Sequence, residues 1–413
     1  MTMDFEPIPQ DDPRRVELRA WISNNPNPTG RQLADARLVA PHWPAPWGLD
    51  ADPIHQLIIE EELRAARISR PRNAIGIGWA GPTILGAGST KQQERYLAKI
   101  LSGEEQWCQL FSEPDAGSDL AALATRAVRD GDEYVVNGSK IWSSHGHLSD
   151  FGILIARTDP DVAKHKGLSY FICPMDTPGL TMQPIVDMTT AHSFNQVFFE
   201  DVRIPVSLRV GAEGDGWRLA KVTLANERVQ LSSAGSMWGS GPSTAELFEL
   251  LRGTDALTDP VVRQEAASVW AESEVLRLTR LRTLSAQLAG GTPGPEASIQ
   301  KLLADHHGQR VMALAKRVAG TRGMLNGSGP AGDLAPRALG GPTEVRYRKG
   351  DQDHSPNTEG IWHYGFLFAP ALTLGGGTFA IQRNIIAEHV LGLPRDMHGD
   401  KGMTWSEFRR SPR

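Results

Sequence analysis

Cysteine is scarce: Cys108 and Cys173 are the only two in 413 residues. Two thiols build neither a disulfide framework nor a cysteine-based metal site, and a reducing cytosol suits such a chain. Long apolar runs are missing too, and none approaches the length of a membrane span. Residues 1–6 are acidic and have no apolar centre, so they do not read as a signal peptide. Strong charge of either sign is also absent. With 43 Lys and Arg against 48 Asp and Glu, the net charge is −5, which gives no reason to expect a nucleic-acid footprint or an anionic-membrane face. Repeats and low-complexity stretches are lacking. What remains is the expectation of a cytoplasmic protein of two or three domains, because a chain this long exceeds one ordinary core.

The chain has three textures. Residues 12–23, 53–66 and 92–101 have apolar residues at helical spacing, with Pro13 and Pro53 near helix starts. Between the first two, the proline-rich residues 41–48 predict an ordered loop. From Trp107 to about Ile204 short alternating runs take over, at 126–128, 133–136, 151–156, 168–172 and 196–199. Turn signals such as Asp130-Gly131-Asp132 and Asn137-Gly138 separate them. This predicts an antiparallel sheet or small barrel. Helical patterns return at 216–252 (with a break at Gly241-Pro242), 258–289, 296–319, 359–374 and 379–391, and the last residues read as a loose polar tail. The expected division is 1–106, 107–208, 209–397 and a tail at 398–413.

The helix opening the third part holds the residue of most interest. Trp217, Ala220, Leu224, Leu231 and Ala234 form one apolar stripe, Leu219, Val222 and Val229 a second, so the helix is expected to be buried on most sides. Glu227 lies within the first stripe. A carboxylate there is costly unless paired or neutral, and Arg228, adjacent on a helix, points elsewhere. Either Glu227 is hydrogen-bonded to a neighbouring helix, or it is a general base with its pKa raised by an apolar cleft. Position alone leaves both open.

Two loops in the β region carry further chemistry. Phe111-Ser112-Glu113-Pro114-Asp115-Ala116-Gly117-Ser118-Asp119 ends a strand and then bends tightly, leaving hydroxyls and N–H groups for an anion or a polar ring. Gly138-Ser139-Lys140-Ile141-Trp142-Ser143-Ser144 adds a large flat ring and two hydroxyls. Separately each is an ordinary hairpin; together they suit a flat heterocycle. His145-Gly146-His147 and His306-His307 lack the carboxylate or thiolate company of a metal site and read as loop and helix-surface residues.

These two segments resemble signature segments of the acyl-CoA dehydrogenase family. So do the loop at Trp43 and the run Gly377-Thr378-Phe379-Ala380-Ile381-Gln382-Arg383-Asn384, and the likeness extends to Leu391-Gly392-Leu393-Pro394-Arg395. Four segments in order are more specific than any one. The resemblance implies an α+β multidomain fold: N-terminal helices, a middle β domain and a C-terminal four-helix bundle, with FAD between the last two. It places Phe111 and Ser112 at the flavin ring, Ser118 at its pyrophosphate, Trp142 stacked near the ring and Ser144 at the N5 edge. Thr378, a natural N-cap after Gly375–Gly377, would contact the ADP half. Ser118 and Arg228 are also expected at the substrate.

The chain departs from the family pattern twice. Most members carry the catalytic glutamate just before the Gly-Thr pair, and that position here is Gly376. A minority carry the base on the helix opening the C-terminal domain, before an arginine, and Glu227-Arg228 matches them. The resemblance thus implies α,β-desaturation of a fatty- or steroid-type acyl-CoA with Glu227 as base. The Gly376 N–H would help hold the enolate oxygen, and an electron-transfer flavoprotein would take the electrons. A base on this helix frees room beside Gly376 for bulky acyl groups, unless neighbours fill it. The second departure concerns groups usually lent to a neighbour's flavin. The R-x-x-F-G segment has no counterpart, since 276–288 offers only Arg277, Arg280 and Arg282. The usual Gln and Gly-Gly turn are replaced by residues 315–323. This resembles the heterotetrameric dehydrogenases of steroid side-chain degradation, where a second related chain completes each flavin site. A homo-oligomer with an altered dinucleotide grip is the alternative assembly, and an acyl-CoA oxidase and a non-catalytic partner subunit are the alternative functions.

Overall fold

The computed structural model describes residues 8–189, 192–231, 237–238, 241–288, 294–321, 359–395 and 402–411. The first part is helical: α1 (Pro13–Asn24), α2 (Gly30–Asp35), α3 (Pro53–Ala65), α4 (Gly81–Ala87) and α5 (Thr90–Ser102). Asp12 and Asp52 cap α1 and α3, while Thr29 with Gln32 and Ser89 with Gln92 form capping boxes on α2 and α5, satisfying N–H groups that a helix start leaves open. The loop at residues 41–48 is ordered because Trp43 is buried. Gly81 makes that fit possible, since a Cβ there would lie 2.3 Å from the indole.

The middle part is one sheet of β1 (Trp107–Leu110), β2 (Arg126–Asp130), β3 (Glu133–Lys140), β4 (Phe151–Arg157), β5 (Leu168–Pro174), β6 (Leu180–Ile185), β7 (Phe194–Pro205) and β8 (Arg209–Val210). Most pairings are antiparallel, as the sequence predicts. The exceptions are β1 and β2, which both run parallel to β4: β1 lies along Phe151–Leu154 and β2 meets it at Arg157. Residues 111–125 therefore leave the sheet where β1 ends and return where β2 begins. Both faces of β4 and β5 are buried, and period-2 alternation sorts their side chains. Ile153, Ile155, Tyr170 and Ile172 join a core shared with the N-terminal helices, while Leu154, Ala156, Phe171 and Cys173 form a second core. Cys108 and Cys173 face the same residue, Gly152, from opposite sides, two strands apart. That spacing exceeds disulfide reach.

The last part contains α6 (Gly216–Leu231), α7 (Thr244–Arg252), α8 (Pro260–Leu288), α9 (Ala297–Ala319), α10 (Glu359–Phe368) and α11 (Phe379–Ile385). Helices α6, α8, α9 and α10 form the bundle, with α9 touching the other three. Two expectations need correction. Val222 is exposed, so α6 is buried on fewer sides than its apolar content suggests; Ala234 and the side chain of Val229 lie outside the described residues. The tail is not loose throughout: α12 (Trp405–Arg410) is capped by Thr404 and Glu407. It docks on the β domain through Trp405 N–H to the Val162 carbonyl at 2.9 Å and the Trp405 ring 4.6 Å from the Arg157 guanidinium carbon.

Candidate active site

One residue ties helix α6 to both other parts. The Thr223 hydroxyl lies 2.8 Å from that of Thr83 on α4 and 3.1 Å from that of Tyr170 on β5. Gly78 admits Gln230 of the same helix, for a Cβ at 78 would fall 2.0 Å from the Gln230 amide oxygen. One turn beyond Thr223, Glu227 shares its face.

Glu227 is buried. Gln109 on β1 donates its amide to Oε2 at 3.4 Å, and the Gly376 N–H is near enough to favour the charged carboxylate. Burial pushes the Glu227 pKa from its ordinary 4.5 up to about 7, opposed by Gln109, by the charges of Arg228 and Lys301, and by the Gly376 N–H. Arg228 is half-buried, and burial lowers its own pKa against the pull of Glu227. Gly376 and Gly377 have φ of +68° and +88°, a left-handed turn that favours glycine. Gln382 on α11 holds the turn, donating to the carbonyls of both. The space a side chain at 376 would take is already filled. Its Cβ would lie 2.6 Å from Leu231 Cδ1 and 2.8 Å from Lys301 Cε, so room for a bulky acyl group is not found at that point.

The two motif loops are joined from beneath. Lys140, fully buried, donates to Glu113 Oε1 at 2.8 Å and to the Phe111 carbonyl at 2.9 Å. Glu113 accepts from the N–H groups of Ala124 and Thr125. Burial raises the Glu113 pKa, but Lys140 and these donors outweigh it and the net displacement is downward. Gly138 (φ +148°) lets β3 bulge against Thr125, where a Cβ would come within 2.6 Å. Ile141 N–H donates to the Ser112 carbonyl at 2.9 Å, tying the second loop to the first. Phe111 is buried edge-on to Tyr170. Beyond these ties the loops present unused surface. Trp142 is 56 % exposed in a left-handed conformation (φ +61°), a strained placement for a large ring. The buried Ser143 Oγ has no partner among the described residues. Ser144 is half-buried, and Ser118 is exposed on its turn. Thr378 caps α11, accepting from Ile381 N–H at 3.3 Å.

The structure thus brings Glu227 and Gly376 together, and holds Phe111, Ser112, Trp142 and Ser144 on two linked loops. Ser118 and Thr378 are held by separate local contacts. Sequence reasoning missed Gln109 and Lys301. Gln109 carried a usable signal: it interrupts the face of β1 that otherwise presents Trp107 and leads to Phe111. Lys301 carried none, since a lysine on a helix ordinarily reaches solvent. His307 is a correction: it is buried, hydrogen-bonded to Thr244 at 2.9 Å and to Glu272.

Three family models cover the chain in order: the acyl-CoA dehydrogenase N-terminal domain at 13–104, the middle domain at 108–202 and the C-terminal domain at 214–391. The chain belongs to the acyl-CoA dehydrogenase family. It is 37% identical to acyl-CoA dehydrogenase IpdE1 of Mycobacterium tuberculosis, over 93% of this chain and 90% of that one. It is 38% identical to acyl-CoA dehydrogenase FadE34 of the same organism over 88% of its length, but spans only 46% of that longer protein. Among solved structures, a chain of the ChsE4–ChsE5 complex of Mycobacterium tuberculosis matches with a TM-score of 0.72 and 30% identity, covering 95% of this chain and all of that one. The Tcur3481–Tcur3483 steroid ACAD matches with a TM-score of 0.73 and 27% identity, over 92% and 97%. The family comprises FAD-dependent oxidoreductases. Two of the three arginines at the place of its missing R-x-x-F-G segment make contacts within the chain: Arg277 pairs with Glu274 and Arg280 with Glu60 on α3. Among the described residues, no helix is long and apolar enough to cross a membrane.

Proposed function

We propose that this protein desaturates an acyl-CoA thioester to the trans-2-enoyl-CoA, with Glu227 as the general base. The observation that carries this reading is a buried carboxylate on α6 that meets the Gln109 amide at 3.4 Å; burial pushes its pKa up to about 7, and a base works best with its pKa near the operating pH. In the resting site the Gly376 N–H favours the charged form of Glu227. When the thioester carbonyl takes it, the carboxylate loses a stabilising donor and becomes more basic as the α-proton comes within reach. The same N–H then holds the developing enolate oxygen.

The motif loops fit FAD: Trp142 offers an open ring face, and the orphaned Ser143 hydroxyl is the kind of buried group a ligand satisfies. Phe111, Ser112, Trp142 and Ser144 would hold the flavin ring, Ser118 its pyrophosphate and Thr378 the ADP half, with Ser118 and Arg228 also contacting substrate. When bound, FAD supplies the acceptor for the β-hydride. An electron-transfer flavoprotein is the proposed oxidant; rapid reoxidation by O2 would mark an oxidase instead.

The substrate class we assign is a steroid-side-chain or fatty acyl-CoA, supported by the steroid dehydrogenase among the structural relatives. We divide the chain into units 1–106, 107–208 and 209–397. The partner we assign is a second related chain completing the flavin site. Arg277 and Arg280 are engaged internally, and Trp270, Val275 and Leu278 leave apolar surface exposed on α8, which suits burial against another subunit. The test is stopped-flow mixing of the FAD-loaded protein with acyl-CoA: bleaching that disappears in Glu227→Gln supports the reading, and undiminished bleaching in that variant ends it. Counting FAD per chain tests the assembly, with one per two chains expected when the related chain is co-expressed.

A further inference from the structure

The bundle contains an ion pair that the proposed chemistry does not use. Lys301 on α9 has no exposed surface. Its Nζ donates to Asp305 Oδ2 at 2.5 Å, one turn along, and to the Leu372 carbonyl at 3.0 Å. Burying such a pair costs more than surface charges do, and hydrophobic residues of similar volume often serve stability equally well. A packing role therefore does not explain its chemistry. Its location does: the Lys301 stem fills the space beside Gly376, with Cε 2.8 Å from where a Cβ would stand and Nζ 3.5 Å away.

We infer that Lys301 is a positioning residue for Glu227: clamped between Asp305 and the Leu372 carbonyl, it occupies the volume of a side chain at 376 and brings a positive charge to the turn beside the base. Two consequences follow from one clamp. The bond to Leu372 ties α9 to the turn that leads into Gly376, so the N–H that meets Glu227 is held in place. The charge favours the ionised form of Glu227, offsetting part of the effect of burial. The charged groups acting on Glu227 are Arg228 from its own helix and Lys301 from α9; Gln109 from β1 and the Gly376 N–H are neutral donors. Those acting on Lys301 are Asp305 and Glu227. Burial lowers the Lys301 pKa and raises that of Asp305 to about 6, each opposed by the other's charge.

The inference rests on Glu227 being the base, and the experiment separates the two claims. The protonated-carboxyl infrared band of Glu227, identified by its loss in Glu227→Gln, is titrated in the FAD-loaded wild type, Lys301→Met and Lys301→Arg. The pH dependence of flavin reduction is followed alongside. Lys301→Met is expected to move both midpoints up by about one pH unit, and Lys301→Arg to keep them near wild type. If Lys301→Met folds too poorly to titrate, Lys301→Gln, which keeps a donor for Leu372 without the charge, gives the same reading. An unchanged midpoint in the neutral variants, with flavin reduction still lost in Glu227→Gln, overturns the role of Lys301 alone. Undiminished reduction in Glu227→Gln overturns the base itself.

Discussion

Glu113 and Glu227 are both buried glutamates in the same molecule, and their acidities move in opposite directions. Glu113 meets an ammonium at 2.8 Å and two backbone N–H groups at 2.6 and 2.8 Å. Among the described residues, Glu227 has an amide donor at 3.4 Å, a backbone N–H nearby and the charges of Arg228 and Lys301 acting on it. Burial alone therefore does not make a base. The number, charge and closeness of donors decide whether desolvation or pairing wins. One carboxylate locks two loops together; the other stays poised between its two forms.

Exchanging each carboxylate for its amide separates the two. Glu227→Gln should lower the rate of flavin reduction on the order of a hundred- to ten-thousand-fold with the fold intact, measured by stopped flow and circular dichroism. Glu113→Gln leaves Lys140 buried without a counter-charge and should cost about 3–5 kcal/mol of stability in denaturant titration. The pH dependences should also oppose one another. Glu227 has a folded pKa above its unfolded one, so it destabilises the native state increasingly from pH 4.5 to about 7. Glu227→Gln should accordingly gain up to about 3 kcal/mol relative to wild type on going from pH 4 to pH 8. Glu113 has a depressed folded pKa, so its contribution is present at neutral pH and lost as acid protonates it. The deficit of Glu113→Gln should shrink in acid. A common pH trend for the two variants would contradict the contrast. The smallest effect lies at the surface: Trp142→Ala should weaken FAD by about 1 kcal/mol, roughly fivefold in Kd by fluorescence titration.

The long helices and most strands were legible because their apolar periods are regular. Glu227 stood out because it breaks such a period. Other elements left fainter traces. Helix α2 is too short to show a period, although Thr29 and Gln32 already spelled a capping box. Thr404 and Glu407 did the same for α12, within residues whose polarity suggested a tail. Strand β6 is half exposed and contains Pro184, so it lacked a strand's usual composition. The parallel runs of β1 and β2 against β4 depend on long-range pairing, which local pattern does not encode. In the site, Lys301 was invisible because its burial is a property of three packed segments rather than of its own helix. The roles of Ser118, Trp142, Ser144 and Thr378 came from family likeness, and their local geometry alone does not assign them.

The hydroxyls of Thr83, Tyr170 and Thr223 meet at one point, and each comes from a different one of the three parts: N-terminal helices, sheet and bundle. A knot of that kind ties all three parts together at the level of α6. Swinging one part from another there would break these bonds, so substrate entry is expected to proceed by shifts of side chains and turns that leave them intact. Amide exchange around Thr223 should accordingly be as slow in the empty protein as in the liganded one.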